Sequence, residues 1–481
     1  MKAILTTAAL VLIMILGCGD DSNPGTPTPP VDPTDTLHIL AVSPEGGTVD
    51  QLWPMVDVQA DVELDPISIV LGAVTLSESG TVLTPVFTLL GDRRAFTMDV
   101  AMLPQEAYVL QLGTSLRGTA GETLAPAQTV TFSTRAPRVA DIVPGSPQLR
   151  QWIAVDAQNG RHVLSIDPAG GSITYGTCRA IDCGAAGAWQ SAVIESGPLS
   201  PMATGSLTVD AQGRVHATYP VLNTTTLRYA TCAADCSVAA NWTRADVDTS
   251  ANPGLWSAIR SDASGRLHVV YSDWGAGGVR YATCAGACAT IDDWASIALP
   301  VSLDRVQDID LAVASSGRLS LILRGQAKNH AVQVAECAAV CLSSAEWHVV
   351  TLLDSSLPSL GNAIAVDVDG VRHVAFQATS AEVVYATCVR DCSDDAGWQR
   401  VTLAMAASGA SPGIATAQGR LAIVAGPAQL ATCRVGCTVA SNWRTKGLGS
   451  VSATSSHPRV AMSPTGQPLI VTGISGSQYL E

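Results

Sequence analysis

Residues 207–242 read LTVDAQGRVHATYPVLNTTTLRYATCAADCSVAANW, and their features repeat along the chain from about residue 138 to the end. Two short apolar runs flank the turn glycine Gly213, and a third run leads into Cys232. Cys236 stands four residues after Cys232, and Trp242 stands six residues after Cys236. Short apolar runs rich in β-branched and aromatic residues, separated by turn residues, predict β-strands joined by tight turns.

The cysteine and tryptophan element occurs six times and the glycine-turn element seven times. The tryptophans, each six residues after the second cysteine of a pair, are Trp189, Trp242, Trp294, Trp347, Trp398 and Trp443. The turn glycines are Gly160, Gly213, Gly265, Gly317, Gly370, Gly419 and Gly466. Each unit has four short strands in about 50 residues, which is typical of β-propeller blades, whereas solenoid repeats are usually shorter.

The incomplete last unit predicts how the chain closes. The seventh copy ends near Tyr479 and Leu480, one strand short of a full unit. The stretch 138–143 resembles the outer strands, such as residues 189–194. We expect it to complete the last blade and so to remove exposed sheet edges. The prediction is a seven-bladed propeller over residues 138–481, with six or eight blades as alternatives.

The N-terminal segment predicts export. Residues 1–17, MKAILTTAALVLIMILG, combine Lys2 with an apolar stretch too short to span a bilayer comfortably. Residues 15–18, Ile-Leu-Gly-Cys, resemble the lipobox of bacterial lipoproteins. The resemblance implies cleavage before Cys18 and diacylation of its thiol. Gly19 at the next position resembles lipoproteins sorted to the outer membrane of Gram-negative cells. The alternatives are an ordinary signal peptide followed by a chance cysteine, and an uncleaved membrane anchor.

Two further segments precede the repeats. Residues 18–36 are polar and proline-rich, which indicates an extended tether. Residues 37–136 contain short alternating segments separated by turns, which predict a β-sandwich. The segments SPEGG (43–47), LDPIS (64–68), YVLQL (108–112), GTAGETL (118–124) and VTFST (130–134) resemble the bacterial Ig-like domains of S-layer-type surface proteins. The resemblance implies a spacer or adhesion module. The fold class predicted for the whole chain is therefore all-β.

The paired cysteines indicate disulfides, because an even set of closely spaced cysteines in an exported chain normally forms them. The predicted pairs are Cys178–Cys183, Cys232–Cys236, Cys284–Cys288, Cys337–Cys341, Cys388–Cys392 and Cys433–Cys437. Zinc sites are the alternative, but they need pairs that converge in space, and each pair stands in its own repeat. We expect the tryptophans to pack between blades; a role in lining a binding surface is the alternative.

Four units carry an aspartate followed six residues later by a histidine. These pairs are Asp156/His162, Asp210/His216, Asp262/His268 and Asp367/His373. One interpretation is a ring of ligand-binding or catalytic pairs. The other, which we favour, is an aspartate that accepts the turn amides beside a histidine in a repeated structural slot. The calcium-like stretch 367–370 lacks the later ligands of a calcium loop, and no metal or cofactor is predicted.

Charge and motif content narrow the function. The net charge is -14, from 27 basic and 41 acidic residues, and such a surface repels nucleic acid. An exported propeller raises the possibility of a glycosidase or sialidase. However, the Ser-x-Asp-x-Gly-x-Thr-Trp box of sialidases is absent, and no convincing carboxylate pair stands out.

The sequence therefore predicts a monomeric, non-enzymatic envelope protein. Its partners would be a membrane, through the lipid, and a glycan, peptide or protein bound by the propeller on an Ig-like stalk. A carbohydrate-active enzyme and a structural envelope protein are the alternatives. The fourth repeat is the least regular, and we predict ligand contacts there at Arg324, Lys328 and His330.

Replacing Cys18 by Ser should release the protein from membranes, because each acyl CH₂ contributes about 0.8 kcal/mol of membrane affinity and the variant has no acyl chains. Fractionation of a Gram-negative host measures this. The Ser22→Ala variant, changed four residues further along, should stay in the membrane pellet. A Cys18→Ser protein that still pellets with membranes would contradict the lipid anchor.

Overall fold

The structure is a computed structural model in which part of the chain is described. The described residues are 36–143, 149–200, 204–221, 226–249, 253–275, 278–303, 305–325, 330–354, 361–379, 381–405, 411–426, 429–448, 458–473 and 477–480. The predicted signal peptide, Cys18, nearly all of the tether and Lys328 lie outside them. The chain divides between Ala136 and Pro137 into two compact units. Within the described ranges no helix is both long enough and apolar enough to cross a bilayer.

The first unit is built from short strands. They are β1 (Thr36–Leu37), β2 (Ile39–Ser43), β3 (Gly47–Val49), β4 (Val56–Ala60), β5 (Val74–Glu78), β6 (Thr81–Val82), β7 (Val86–Leu89), β8 (Ala95–Asp99), β9 (Ala107–Leu112), β10 (Thr123–Leu124) and β11 (Gln128–Thr134). One helical turn, Pro66–Ser68, continues into a π-helical turn, Ile69–Ala73. Asp65 caps the first turn by accepting a hydrogen bond from the Ile67 amide at 3.0 Å.

These strands form a four-stranded sheet, β2-β4-β8-β7, a five-stranded sheet, β3-β11-β9-β5-β6, and a two-stranded sheet, β1-β10. Burial alternates along the strands, with Val56, Val58 and Ala60 buried and the residues between them exposed. This alternation follows from the two-residue period of a strand and gives each sheet one apolar face. The buried Tyr108 hydroxyl accepts a hydrogen bond from the Leu103 amide at 2.7 Å.

The second unit contains twenty-eight strands among its described residues. They are β12 (Val139–Val143), β13 (Arg150–Val155), β14 (Arg161–Asp167), β15 (Ser172–Cys178), β16 (Gln190–Ser196), β17 (Ser206–Val209), β18 (Val215–Val221), β19 (Thr226–Cys232), β20 (Thr243–Asp248), β21 (Pro253–Ser261), β22 (Leu267–Asp273), β23 (Gly278–Cys284), β24 (Ala295–Ala298), β25 (Gln307–Val313), β26 (Leu319–Arg324), β27 (Val332–Cys337), β28 (Trp347–Leu353), β29 (Asn362–Val366), β30 (Arg372–Thr379), β31 (Glu382–Cys388), β32 (Gln399–Ala404), β33 (Gly413–Ala417), β34 (Arg420–Ala425), β35 (Gln429–Cys433), β36 (Arg444–Gly447), β37 (Arg459–Met462), β38 (Pro468–Gly473) and β39 (Ser477–Leu480).

These strands form four-stranded antiparallel sheets, seven among the described residues. Sheets 1 to 6 each take four consecutive strands, beginning at β13, β17, β21, β25, β29 and β33. Sheet 7 combines β37, β38 and β39 with β12, and Val139 pairs with Leu480. The N-terminal strand of the unit thus completes the last sheet, as its sequence predicts. The predictions of an all-β chain and of repeated four-stranded units are confirmed.

The first strands of the sheets surround a central channel. Each first strand contacts the first strands of both neighbouring sheets, and β13 of sheet 1 contacts β37 of sheet 7. Every first strand also contributes at least one residue to the lining of the channel. We call one end of the channel the loop end; at this end the first strand of each sheet begins and the second strand ends. The opposite end, which carries the glycine turns and the cysteine pairs, is the turn end.

The apolar cores lie between the sheets. Each of the seven junctions between neighbouring sheets holds its own cluster of buried apolar side chains. At the junction of sheets 7 and 1, for example, Ile142 and Tyr479 pack with Val163. In six of the seven sheets the turn glycine before the second strand has the left-handed backbone conformation that favours glycine; Gly213, for example, has φ +79°. In sheet 1 the left-handed position falls instead on Asn159, with φ +64°.

Candidate functional site

Four sheets contain a buried chain of hydrogen bonds through an aspartate, a histidine and a tyrosine. In sheet 2, His216 Nε2 lies 3.1 Å from Asp210 Oδ2 and His216 Nδ1 lies 2.7 Å from Tyr229 OH. The Asp210 Oδ1 atom accepts hydrogen bonds from the Gln212 and Arg214 amides at 2.9 and 2.8 Å. The other chains are Asp156–His162–Tyr175, Asp262–His268–Tyr281 and Asp367–His373–Tyr385. Both ring nitrogens of each histidine are occupied, so the geometry supports the structural interpretation of these pairs.

The charge states of these groups follow from their burial. Desolvation lowers the pKa of His162, His216 and His268, because it outweighs the attraction of the neighbouring carboxylate. Burial alone would raise the pKa of Asp210, but hydrogen bonds from the turn amides and from His216 lower it overall. In the chains through His162, His216 and His268, a neutral imidazole therefore lies between an ionised carboxylate and a phenol. An imidazole that donates from Nε2 to the carboxylate accepts the phenol O–H at Nδ1.

The tyrosine of each chain packs against the tryptophan of the next sheet. The rings of Tyr229 and Trp294 meet edge to face, with centroids 5.2 Å apart. The same contact occurs where the last sheet meets the first, since the ring centroids of Tyr479 in sheet 7 and Trp189 in sheet 1 lie 5.1 Å apart. The remaining pairs are Tyr175–Trp242, Tyr281–Trp347 and Tyr385–Trp443. The prediction that the tryptophans pack between blades is confirmed.

A hydrogen bond accompanies the constant spacing between cysteine and tryptophan in five of the six units, whereas Nε1 of Trp294 is buried without a hydrogen-bond partner. The indole N–H of Trp242 donates to the Cys236 carbonyl at 2.8 Å, and Trp443 donates to Cys437 at 2.7 Å. All six predicted disulfides are present. The bonded thiols are not available to a metal, so the zinc alternative is wrong. Within the described ranges, no group of three or more histidine, cysteine, aspartate or glutamate side chains is arranged to hold a metal ion.

A second repeated contact brings tyrosines and carboxylates together, the pair that sialidases use. Tyr271 OH lies 2.5 Å from Asp248 Oδ2, and Arg280 Nε donates to the same hydroxyl at 3.2 Å. Tyr219 OH similarly lies 3.4 Å from a carboxylate oxygen of Glu195. Both tyrosines are fully buried, at 0% exposure. Because the arrangement recurs at two consecutive junctions and its tyrosines are inaccessible, it supports packing between sheets rather than cleavage of a substrate.

A cavity of about 400 Å³ opens at the turn end between sheets 1 and 2, and we call it the junction cavity. Its lining includes the polar residues His162, Tyr175, Thr177, Arg179, Gln190, Asp235 and Ser237. Ser237 Oγ donates to Gln190 Oε1 across the junction at 3.3 Å. The Arg179 side chain is 58% exposed, and its guanidinium lies 3.0 Å from the buried Asp156 carboxylate. The cavity lies beside the one cysteine loop that is longer than the others, Cys178–Cys183.

Two of the three predicted ligand contacts are described, and both lie at the loop end. Arg324 is the last residue of β26 and is 2% exposed, and its Nε has no hydrogen-bond partner. His330 stands shortly before β27, and its Nδ1 is also buried without a partner. Lys328 lies outside the described residues. Sequence reasoning missed the junction cavity, although the extra residue in the first cysteine loop was a usable signal.

No protein-family model matches the chain, and no curated protein matches it. Among solved structures, the chain is similar to AofleA from Arthrobotrys oligospora, with 13% identity over 66% of this chain and 91% of that one, and a TM-score of 0.42. It is also similar to the six-bladed β-propeller lectin of Aleuria aurantia (12% identity, 66% and 98% coverage, TM-score 0.42). A third similar structure is an ulvan lyase (8% identity, 72% and 93% coverage, TM-score 0.45). Similarity at this level carries no argument about function.

The buried histidines predict a dependence of stability on pH. Their pKa is lower in the folded state, so the unfolded chain binds protons more readily, and their contribution is lost as pH falls through about 6.5. The pKa of Asp210 is also lowered in the folded state, so the stability of the protein falls further at lower pH, where this carboxylate takes up a proton. We expect the unfolding temperature to fall between pH 7.5 and 5.5, and to fall less in His216→Gln.

Tryptophan fluorescence can follow this transition, since nine of the ten tryptophans belong to the second unit. The exposed His348 provides the control, and His348→Gln should keep the wild-type pH dependence. An unchanged slope in His216→Gln would show that this histidine does not titrate as its burial requires.

Proposed function

We propose that this protein is a non-enzymatic binding module of the cell envelope. Its second unit would be a seven-bladed β-propeller that binds a glycan in the junction cavity. Its first unit would be an Ig-like stalk, and a lipid on Cys18 would hold the chain at the outer membrane.

The composition of the junction cavity is the observation that carries the glycan proposal. Its wall offers a guanidinium at Arg179, an amide at Gln190, a hydroxyl at Ser237 and a carboxylate at Asp235. Such donors and acceptors match the hydroxyl groups of a sugar, and the volume of about 400 Å³ lies in the range of small-ligand sites.

The cavity is also held in shape before any ligand arrives. Beneath the polar wall, His162 donates and accepts within its own hydrogen-bonded chain and joins Asp156 to Tyr175. The Asp156 carboxylate in turn holds Arg179 at the rim. A site whose side chains are already placed loses less conformational entropy when it binds.

The small number of carboxylates at the junction cavity favours binding of a glycan over its hydrolysis. Among the described residues that line it, Asp235 is the only carboxylate. Hydrolysis of a glycosidic bond ordinarily needs two such groups on opposite sides of the bond. The carboxylate of the nearby Asp156 is already hydrogen-bonded to His162 and to the Gly160 amide, the latter at 2.6 Å, and is paired with Arg179.

Separate observations support the other parts of the proposal. For seven blades, these are the pairing of β12 with β39 and the Tyr479–Trp189 contact. For the Ig-like stalk, Tyr108 bonds to the backbone five residues upstream, as in the tyrosine corner of Ig-like sandwiches. For the lipid anchor and the envelope location, the support is the lipobox that ends at Cys18.

A glycan array probed with the full chain carrying Cys18→Ser tests the glycan proposal. We expect one sugar class to be enriched, and Arg179→Ala to weaken its binding at least tenfold by calorimetry, a loss of about 1.4 kcal/mol. Arg434→Ala is the matched control, because Arg434 directly follows the first cysteine of its pair, as Arg179 does, but in sheet 6. Equal binding by wild type and Arg179→Ala, or release of sugar from the bound glycan, would overturn the proposal.

A further inference from the structure

Sheet 1 has a glycine at the turn position where sheet 2 has an arginine. Gly160 and Arg214 occupy the same place in the turns of their sheets, because the amide of each donates to the turn aspartate. The Arg214 guanidinium reaches the turn of sheet 3, since a β-carbon added to Gly265 would lie 4.0 Å from Arg214 Nη2. A β-carbon added to Gly213, which lines the junction cavity, would meet nothing within 4 Å. The missing side chain at Gly160 therefore leaves room for a ligand beside Gly213.

The charges around the junction cavity do not favour an anionic ligand. Burial alone would raise the pKa of Asp156, but hydrogen bonds from His162 and the Gly160 amide lower it overall, so this carboxylate is ionised. Its charge offsets that of Arg179, whose guanidinium lies 3.0 Å away. Asp235 adds a second carboxylate from the wall of sheet 2. Two carboxylates thus stand against one guanidinium among the described lining residues and their ion-pair partners, so a carboxylate or sulfate ligand would be repelled.

Four alanines, two from each sheet, give the walls of the cavity small apolar surfaces. They are Ala180 and Ala188 in sheet 1 and Ala233 and Ala234 in sheet 2. The aromatic lining residues His162 and Tyr175 are each 1% exposed and bond to each other at 2.6 Å, so they are not available to a ligand. A sugar hydroxyl against an alanine would lose its hydrogen bonds to water, whereas a methyl group there would be favourably removed from water.

Hydrogen-bonding groups of both kinds stand beside these alanines. Arg179 directly precedes Ala180 in the chain, and its side chain is 58% exposed. Asp235 directly follows Ala234 and offers a carboxylate acceptor. The Gln190 side chain adds amide N–H donors from sheet 1. The cavity therefore presents donors, an acceptor and small apolar surfaces side by side.

We propose that the junction cavity recognises the acetamido group of an N-acetylated amino sugar, and this inference rests on the proposed glycan-binding function. An acetamido group is uncharged and combines a carbonyl that accepts hydrogen bonds, an N–H that donates one and a methyl group. Its carbonyl would accept from Arg179 or Gln190, its N–H would donate to Asp235, and its methyl group would pack against the alanines. A sugar that carries only hydroxyl groups makes the polar contacts but leaves the apolar surfaces unused.

Calorimetric titration of the full chain carrying Cys18→Ser tests recognition of the acetamido group. The probes are N-acetylglucosamine, N-formylglucosamine, glucosamine, glucose and sodium glucuronate, at matched ionic strength. We expect N-acetylglucosamine to bind at least tenfold more tightly than glucose, because only the acetamido group fills the polar and the apolar positions together. N-formylglucosamine lacks the methyl group and should bind several-fold more weakly than N-acetylglucosamine; equal binding of these two sugars would contradict the apolar contact and so the proposal.

The other probes separate this inference from the function on which it rests. Tightest binding of glucosamine would show that Asp235 selects a cationic amine, and tightest binding of glucuronate would show an anion site; either result overturns the acetamido inference. Equal binding of glucose and N-acetylglucosamine, weakened by Arg179→Ala, would overturn it while the glycan-binding function stands. Enrichment of array glycans without an acetamido group would do the same. Absence of binding by every probe and every array glycan would overturn both.

The Asp235→Asn variant tests the acceptor of the N–H group. Asparagine tolerates the left-handed backbone at this position, where φ is +51°, so the fold should be kept. A neutral amide oxygen accepts a weaker hydrogen bond than a carboxylate does, so the preference for N-acetylglucosamine over glucose should fall several-fold. This preference is a ratio of two affinities in one sample, so partial unfolding of a variant does not change it.

Asp182→Asn is the matched control for this variant. Asp182 also directly precedes the second cysteine of its pair, but its carboxylate is paired with Arg138 at 3.0 Å. The control should keep the wild-type preference for N-acetylglucosamine. Equal losses in the two variants, or an unchanged preference in Asp235→Asn, would contradict the acetamido site.

Discussion

The architecture of the second unit depends on the contact between one sheet and the next. A four-stranded sheet has two faces, and neither is stable in water if it is apolar. Here the apolar clusters lie between the sheets, so each sheet is buried only because its two neighbours are present. Tyrosine and tryptophan pairs stand at five of these junctions, including the one where Tyr479 meets Trp189 and the ring closes.

Polar contacts hold the rings of most pairs. Four of the tyrosines bond to a histidine of their own sheet, and Tyr479 instead accepts a hydrogen bond from Arg161 of sheet 1. The paired tryptophans donate to the carbonyl of a disulfide-bonded cysteine, except Trp294, whose Nε1 is buried without a hydrogen-bond partner. Sheet 4 has no aspartate–histidine–tyrosine chain. At the strand position where sheet 3 pairs His268 with Thr283, sheet 4 pairs Ser320 with Glu336. Glu336 accepts hydrogen bonds from Ser320 at 2.7 Å and from Arg372 of sheet 5 at 2.6 and 3.0 Å. A buried bidentate ion pair thus joins sheets 4 and 5 where the histidine chain is lost.

The repeated features could be predicted from the sequence because spacing within a unit is fixed by local geometry. Strand order, the disulfides, the closing strand and the position of the tryptophans all follow from residues close together in the chain or from the missing strand of the last unit. The hydrogen bond between His216 and Tyr229 could also have been predicted, since His162, His216 and His268 each stand thirteen residues before their tyrosine.

The candidate sites were less accessible to sequence reasoning. The junction cavity is formed by residues of two units, and its wall has no repeated signature. Arg459 and Asp308, for example, occupy ordinary positions in strands of two different sheets and meet only because the ring closes. Arg324 was singled out because its repeat is irregular, but the sequence gives no indication that its Nε would be buried without a hydrogen-bond partner.

A distance measurement tests directly whether the ring of sheets is closed. Spin labels at Val139→Cys in β12 and Thr465→Cys, in the turn between β37 and β38, can be placed in the Cys18→Ser chain and measured by double electron–electron resonance. If both positions belong to one four-stranded sheet, strands about 4.8 Å apart place them about 15–25 Å from each other. A row of sheets stacked at about 10 Å would place them about 60 Å apart, and that result would contradict the closed ring.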